Sequence, residues 1–229
     1  MRAINYQQRG MSLISIMIGM LLSMITILSS LVLYRTLSHT SIDSRIDAAI
    51  DGEIATAMLT LQLEIQAAGF GYESTTPPHV LVEAGANPTY VYWRYKDTTP
   101  ATPLDTCRGL RIKDISASHR QLQLLKSTTC NESSELSSFT WTDPSNVLSV
   151  LADIKVKTGQ KLPKVGLKLE SKSCFPYGMS AVNTYQHLTV TLDNAARRAA
   201  LDDTTLATPN TPFIYTFCLS NTTGASPGP

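Results

Sequence analysis

No acid occurs before Asp43, no proline before Pro77 and no cysteine before Cys107, and no Asp, Glu, Lys, Arg or His lies between Arg9 and Arg35. Without proline, nothing forbids a helix through the first third of the chain. Without charge, the early part of that helix has no wet face, which excludes an ordinary surface helix. Histidine is scarce, with only His39, His79, His119 and His187, and no C-x-x-C pair is present. That pattern speaks against a zinc site, and we expect neither a metal nor a cofactor. There is no G-x-S-x-G elbow, no H-E-x-x-H pair and no phosphate-cradling glycine loop, so the common hydrolase and nucleotide-binding signatures are missing. Asp202-Asp203 reads as a solvated helix end, and the sequence gives no reason to expect an enzyme. A net charge of +1 produces no global field directed at nucleic acid.

What is there begins with the uncharged run after Arg9-Gly10. At about 1.5 Å per residue it reaches roughly 36 Å, enough to cross a hydrocarbon core of about 30 Å. A secretory signal would have an apolar region of only about 7–15 residues and then a small-residue cleavage site. Here the run is longer, no Ala-x-Ala follows it, and Ser38 to Ser44 is a poor substitute. A plain amino-terminal anchor fits the hydrophobicity equally well.

Beyond the run, Ile42, Ile46, Ile50, Ile54, Met58, Leu61 and Ile65 recur every three or four residues, the period of an amphipathic helix. The linker 35–41 holds no helix breaker, so the spacing predicts one helix from about Ser12 to Ala67 rather than two. Gly52 weakens it by about 1 kcal/mol if exposed, and Gly69 and Gly71 supply the stop. The segments are thus 11–34 in the membrane, 35–71 as an amphipathic spine, and 72–229 as a head rich in Ser, Thr, Asn and Pro.

Five head segments alternate as strands do: Thr89–Tyr95, Arg120–Leu124, Val165–Leu169, His187–Leu192 and Phe213–Leu219. Asp143-Pro144-Ser145-Asn146 reads as a turn, Asn194–Leu201 as a short helix, and Thr98–Pro103 and Asn221–Pro229 as loops. The expected fold class is α+β, with a long helix packed on one or two mainly antiparallel sheets. Cys107, Cys130, Cys174 and Cys218 all fall in the head, an even count that suits two disulfides in an oxidising compartment. Three pairings are possible; we favour Cys107–Cys130 and Cys174–Cys218, each joining segments able to form neighbouring strands. Lys155, Lys157, Lys161, Lys164, Lys168 and Lys172 make a basic stretch in which alternate lysines share a strand face. Solubility and edge protection explain it more simply than DNA binding. The aromatics Tyr90, Tyr92, Trp93 and Tyr95 read as core rather than as an adhesive surface.

The run Gly10-Met11-Ser12-Leu13-Ile14-Ser15-Ile16-Met17 resembles the signature of type IV prepilins. The resemblance implies cleavage between Gly10 and Met11 by a prepilin peptidase, N-methylation of the new terminus, and release of a leader, residues 1–10, whose Arg2 and Arg9 suit the cytoplasmic side. It further implies the pilin fold, an inner-membrane helix with a periplasmic head, and later incorporation into a filament beside other minor pilins and the major pilin. One position departs: the fifth residue after the cut is usually Glu, and here it is Ser15. That carboxylate is thought to neutralise a neighbouring amino terminus, so its loss suits either a low-abundance subunit in which it is tolerated or one at or near the filament tip. The helix end Leu61–Gly71, Cys107-Arg108-Gly109-Leu110-Arg111 and Cys130 are similar to minor pilins of the PilW type, implying a role in starting or capping pili, with motility, adhesion or DNA uptake downstream. J-type pseudopilins of type II secretion share the first part and differ in partners. A third expectation is an anchored periplasmic binding or enzymatic domain.

Overall fold

The computed structural model describes residues 13–73, 77–85, 87–141, 144–156, 161–174, 183–193 and 212–223. The Gly10–Met11 junction, Ser12, the expected helix Asn194–Leu201, Asp202-Asp203 and Lys157 lie outside those residues. The chain divides into two units, Met1–Asp47 and Ala48–Pro229.

One helix, α1 (Leu13–Ile65), supplies the described part of the first unit and the first element of the second. It ends two residues earlier than the spacing predicted, because Gln66 to Gly71 form turns. The stop is steric as well as conformational. Gly69 has φ +79°, and a Cβ there would lie 2.5 Å from the Asn221 carbonyl oxygen. Its amide donates to the Arg94 carbonyl at 2.9 Å, tying the helix end to the head.

The apolar stripe is not covered evenly. Ile50, Ile54, Ala57, Met58, Leu61 and Ile65 are buried, whereas Ile42 is 50 % exposed and Ile46 half-buried. Periodicity therefore located the stripe, whose fully buried positions begin at Ile50.

Among the described residues the head holds two antiparallel sheets. The first comprises β1 (Val80–Val82), β2 (Tyr90–Asp97), β3 (Leu104–Ser116), β4 (His119–Ser127) and β5 (Val147–Lys155), in sequential order. The second comprises β6 (Val165–Cys174), β7 (Asn183–Leu192) and β8 (Phe213–Thr223). All five expected strands are present. The structure adds β1, β3 and β5, and Pro144–Asn146 forms a tight turn immediately before β5. Thr98–Pro103 connects β2 to β3, while Asn221 belongs to β8 rather than to a loop.

Register explains why the first sheet is buried on both sides, since opposed residues of antiparallel strands share a face. Val91 opposes Leu110, Leu110 opposes Leu124, and Trp93 opposes Arg108. Arg108 approaches Glu64 of α1 at 4.0 Å, so this face meets the helix. On the other face Tyr92 opposes Gly109, and Gly109 opposes Leu125. There Tyr92 and Leu125 cluster with Cys107, Leu136 and Trp141. Tyr92 and Trp141 stack at 4.7 Å, directly over Gly109, where a Cβ would come within 3.1 Å of the Tyr92 ring. The residues 128–141 thus roof the second face, and Tyr92 and Trp93 belong to the core.

Replacing Gly69 with Ala should destabilise the head by about 1–3 kcal/mol, through a strained positive φ and the close approach to Asn221. Urea unfolding of the detergent-solubilised chain, followed by the fluorescence of its two tryptophans, both in the head, measures this.

Candidate functional site

Four places among the described residues bear chemistry: the apolar part of α1, a buried guanidinium, a polar chain on the first sheet, and the cysteines. The helix α1 is long and apolar enough, by length and composition, to cross a membrane. From Leu13 to Leu33 its large hydrophobic side chains are about half to three-quarters exposed, with Met17 at 66 % and Met24 at 70 %. The hydroxyls of Thr26, Ser30, Thr36 and Thr40 turn back onto the helix itself. Thr26 Oγ1 donates to the Ser23 carbonyl at 2.8 Å, and Ser30 Oγ to the Thr26 carbonyl at 2.9 Å. Thr36 and Thr40 do the same about two and three turns on. Such bonds satisfy the hydroxyls without water, which hydrocarbon requires. Ser15 lies exposed on this stretch.

Arg94, on β2, is completely buried. A guanidinium has five N–H donors, and all are used. Nε donates to His79 Nδ1 at 3.0 Å. Nη1 donates to the carbonyls of Asn131 and Ser134 at 3.0 and 2.8 Å, and Nη2 to those of Pro77 and Pro78 at 2.7 and 3.2 Å. The Tyr72 ring stacks on His79 at 4.5 Å and stands 5.9 Å from the Arg94 carbon, while its hydroxyl donates to Asp105 at 2.9 Å. Burial, and then the Asp105 hydrogen bond, push the Tyr72 phenol up, so it stays a neutral donor. Burial lowers the Arg94 value, opposed by the nearby carboxylates of Asp105, Glu132 and Glu135. The group is a clip, holding two loops against β2, rather than a reactive centre.

A polar chain crosses the first sheet on the face that carries Tyr92. Arg111, itself buried, donates through Nε and Nη2 to Gln123 Oε1. Gln123 donates to Gln121, and Gln121 to Asp153. Asp153 also meets His119 and Lys155, and its amide donates to Glu53 of α1. The Lys155 ammonium first, then His119 and Gln121, hold the Asp153 carboxyl well below its usual range.

Both favoured cysteine pairs are present. Cys107 pairs with Cys130 at a Cα separation of 5.4 Å, and Cys174 with Cys218 at 6.2 Å. The expectation that each would join neighbouring strands needs correction. Cys130 lies past the end of β4, and Cys174 and Cys218 lie on β6 and β8, with β7 between them in the sheet. The loops closed, of 23 and 44 residues, correspond to about 3 and 4 kcal/mol on the chain-entropy account.

The lysine stretch does not form one face. Lys155 ends β5 in one sheet, whereas Lys168 and Lys172 lie on β6 in the other, both paired with Glu170. Their ammonium groups hold the Glu170 carboxyl down at about 2.

Sequence reasoning missed the Arg94 clip, and the Pro77-Pro78-His79 run was its only local signal. It also treated the histidines as interchangeable. His79 is buried against Arg94, His119 pairs with Asp153, and His187 lies beside the second disulfide. No family model, curated protein or solved structure matches this chain.

Two outcomes follow. Arg94→Lys, with three donors in place of a planar five, should cost the head about 2–4 kcal/mol in the same unfolding measurement. Asp153 has a depressed value, so its contribution is fully present above the unfolded value of 3.8 and is lost as pH falls below it. Asp153→Asn should therefore cost about 0.5–1 kcal/mol at pH near 6, after solvent screening. That difference between the two proteins should shrink towards zero near pH 2 in parallel urea titrations.

Proposed function

We propose that this chain is a minor type IV pilin of the PilW type, a non-enzymatic subunit that helps start or cap pilus assembly. The observation that supports it best is the uncharged helical stretch, introduced by Arg9-Gly10, that runs without a break in α1 into a helix face buried by a β-rich head. A membrane anchor on a soluble domain needs only the first of these features. A subunit that must leave lipid and enter a fibre needs the helix to be structural in both settings. The self-bonded hydroxyls and exposed apolar side chains of α1 suit either surrounding, lipid or the sides of other apolar helices.

On this reading Gly10–Met11 is the processing junction, the helix rests in the inner membrane with the head in the periplasm, and the two disulfides fit that oxidising side. Ser15 in place of the usual acid suits a position at or near the tip, where no amino terminus above requires a counter-charge. The partners are the prepilin peptidase, other minor pilins and the major pilin.

The test is the mature terminus. Intact-mass and amino-terminal mass spectrometry of the membrane-extracted protein should find a methylated Met11, and Gly10→Val should leave residues 1–10 attached. Normal processing of that variant, or a native protein starting at Met1, overturns the assignment. Deletion of the chain should reduce surface pili; loss of protein secretion with normal piliation would assign the J-type alternative instead.

A further inference from the structure

On the second sheet, opposed residues place Glu170, His187 and Cys218 in one row across β6, β7 and β8. Cys174 returns to Cys218 over this row. The ligand atoms of Cys174, His187 and Cys218 all lie within 4.8 Å of one another. Both ring nitrogens of His187 are buried and have no hydrogen-bond partner among the described residues. An imidazole in that condition loses its hydration without replacement, which is unfavourable. Glu170, the register partner of His187, does not relieve it, because its two carboxylate oxygens are taken by Lys168 and Lys172.

We propose that these three residues form a zinc(II) site that alternates with the disulfide. Two thiolates and one imidazole are a common zinc donor set, with bonds of about 2.3 Å to sulfur and 2.0–2.1 Å to nitrogen. Tetrahedral angles on those bonds put the two sulfurs about 3.8 Å apart and each sulfur about 3.5 Å from the nitrogen. All three ligand atoms lie within 4.8 Å of one another, and once the S–S bond of about 2.05 Å opens, the two sulfurs must move apart by about 1.8 Å to take those positions. A fourth position is left for water.

The exchange balances as follows. A protein dithiol attacks one sulfur of the Cys174–Cys218 bond to give a mixed disulfide, and its second thiol completes the exchange. Two electrons and two protons pass to the cysteines, and the dithiol becomes a disulfide. Zinc(II) then displaces both thiol protons and accepts the lone pair of one His187 nitrogen. Before oxidation, or after reduction, the metal would hold β6 and β8 where the disulfide otherwise does.

The probe is zinc(II) with the full chain in detergent, reduced anaerobically by a phosphine. The reduced protein should take up one zinc per chain against a chromophoric chelator, the oxidised protein none, and His187→Gln should weaken uptake at least tenfold. Zinc should also shield Cys174 and Cys218, but not Cys107 and Cys130, from iodoacetamide, as mapped by peptide mass spectrometry. Equal affinity in His187→Gln, no shielding of the two cysteines, or equal shielding of all four overturns the proposal. If reduction unfolds the head, zinc must restore the circular dichroism of the native protein in the wild type and not in His187→Gln; failure to do so overturns it as well.

Discussion

A guanidinium without a carboxylate on any of its donors sits at the centre of this head. Arg94 is buried, and desolvating such a charge costs several kcal/mol unless its donors are met. They are met by four backbone carbonyls and one imidazole nitrogen. Those carbonyls belong to loops that would otherwise bury unpaired acceptors, so each side removes the other's penalty. The consequence is architectural. Pro77, Pro78 and His79 lead into β1, while Asn131 and Ser134 begin the roof over Tyr92 and the Cys107–Cys130 bond. One side chain thus fixes both the start of the first sheet and the cover of its second face. The backbone of the same residue accepts from Gly69, so the end of α1 is set by it too.

The roof explains why a five-stranded sheet of modest size can have apolar side chains on both faces. Tyr92 and Trp93 are neighbours on β2 and project to opposite sides, yet both are buried. Burying a large aromatic on each side of one strand requires a cover on each side, and the chain provides a helix for one and residues 128–141 for the other. The Cys107–Cys130 link pins that irregular segment to β3, and the Trp141 indole donates to the Leu136 carbonyl at 2.8 Å within it. Irregular backbone becomes a core layer here because its polar groups find partners inside the layer.

Much of this was legible in the residues. Charge-free length and proline-free continuity announced α1, two glycines announced its end, and alternation announced β2, β4, β6, β7 and β8. The strands that escaped notice have physical reasons. β1 has only three residues, too few for alternation to register. β3 carries Arg108 and Arg111 among its inward positions, so it does not read as half-apolar, although both arginines are turned to partners on neighbouring elements. β5 has apolar residues at successive positions, Val147, Leu148, Val150 and Leu151, because it is an edge strand whose register with β4 slips twice. The Arg94 clip was beyond the reach of a linear reading, since its partners lie 15 to 40 residues away and are mostly backbone. The cysteine pairing was reachable by elimination of alternatives only in part; that Cys174 and Cys218 meet with a strand between them depends on the course of the second sheet.

The same helix meets two different demands, and the residues between them show where one gives way to the other. Apolar positions continue at helical spacing from Ile42, with Ile46 half-buried and Ile50 buried. Ile42 and Leu37, at 50 % and 60 % exposed, therefore extend the apolar surface past the charge-free run. Arg35 and Arg45 flank them, and a bilayer alone does not call for hydrophobic side chains among such charges. A packed helix neighbour does, because it buries an apolar stripe while leaving the long arginine stems free to reach water. The apolar positions beyond the charge-free run thus support the proposed filament subunit over a simple anchor, and they lie in the chain's own spacing rather than in any motif.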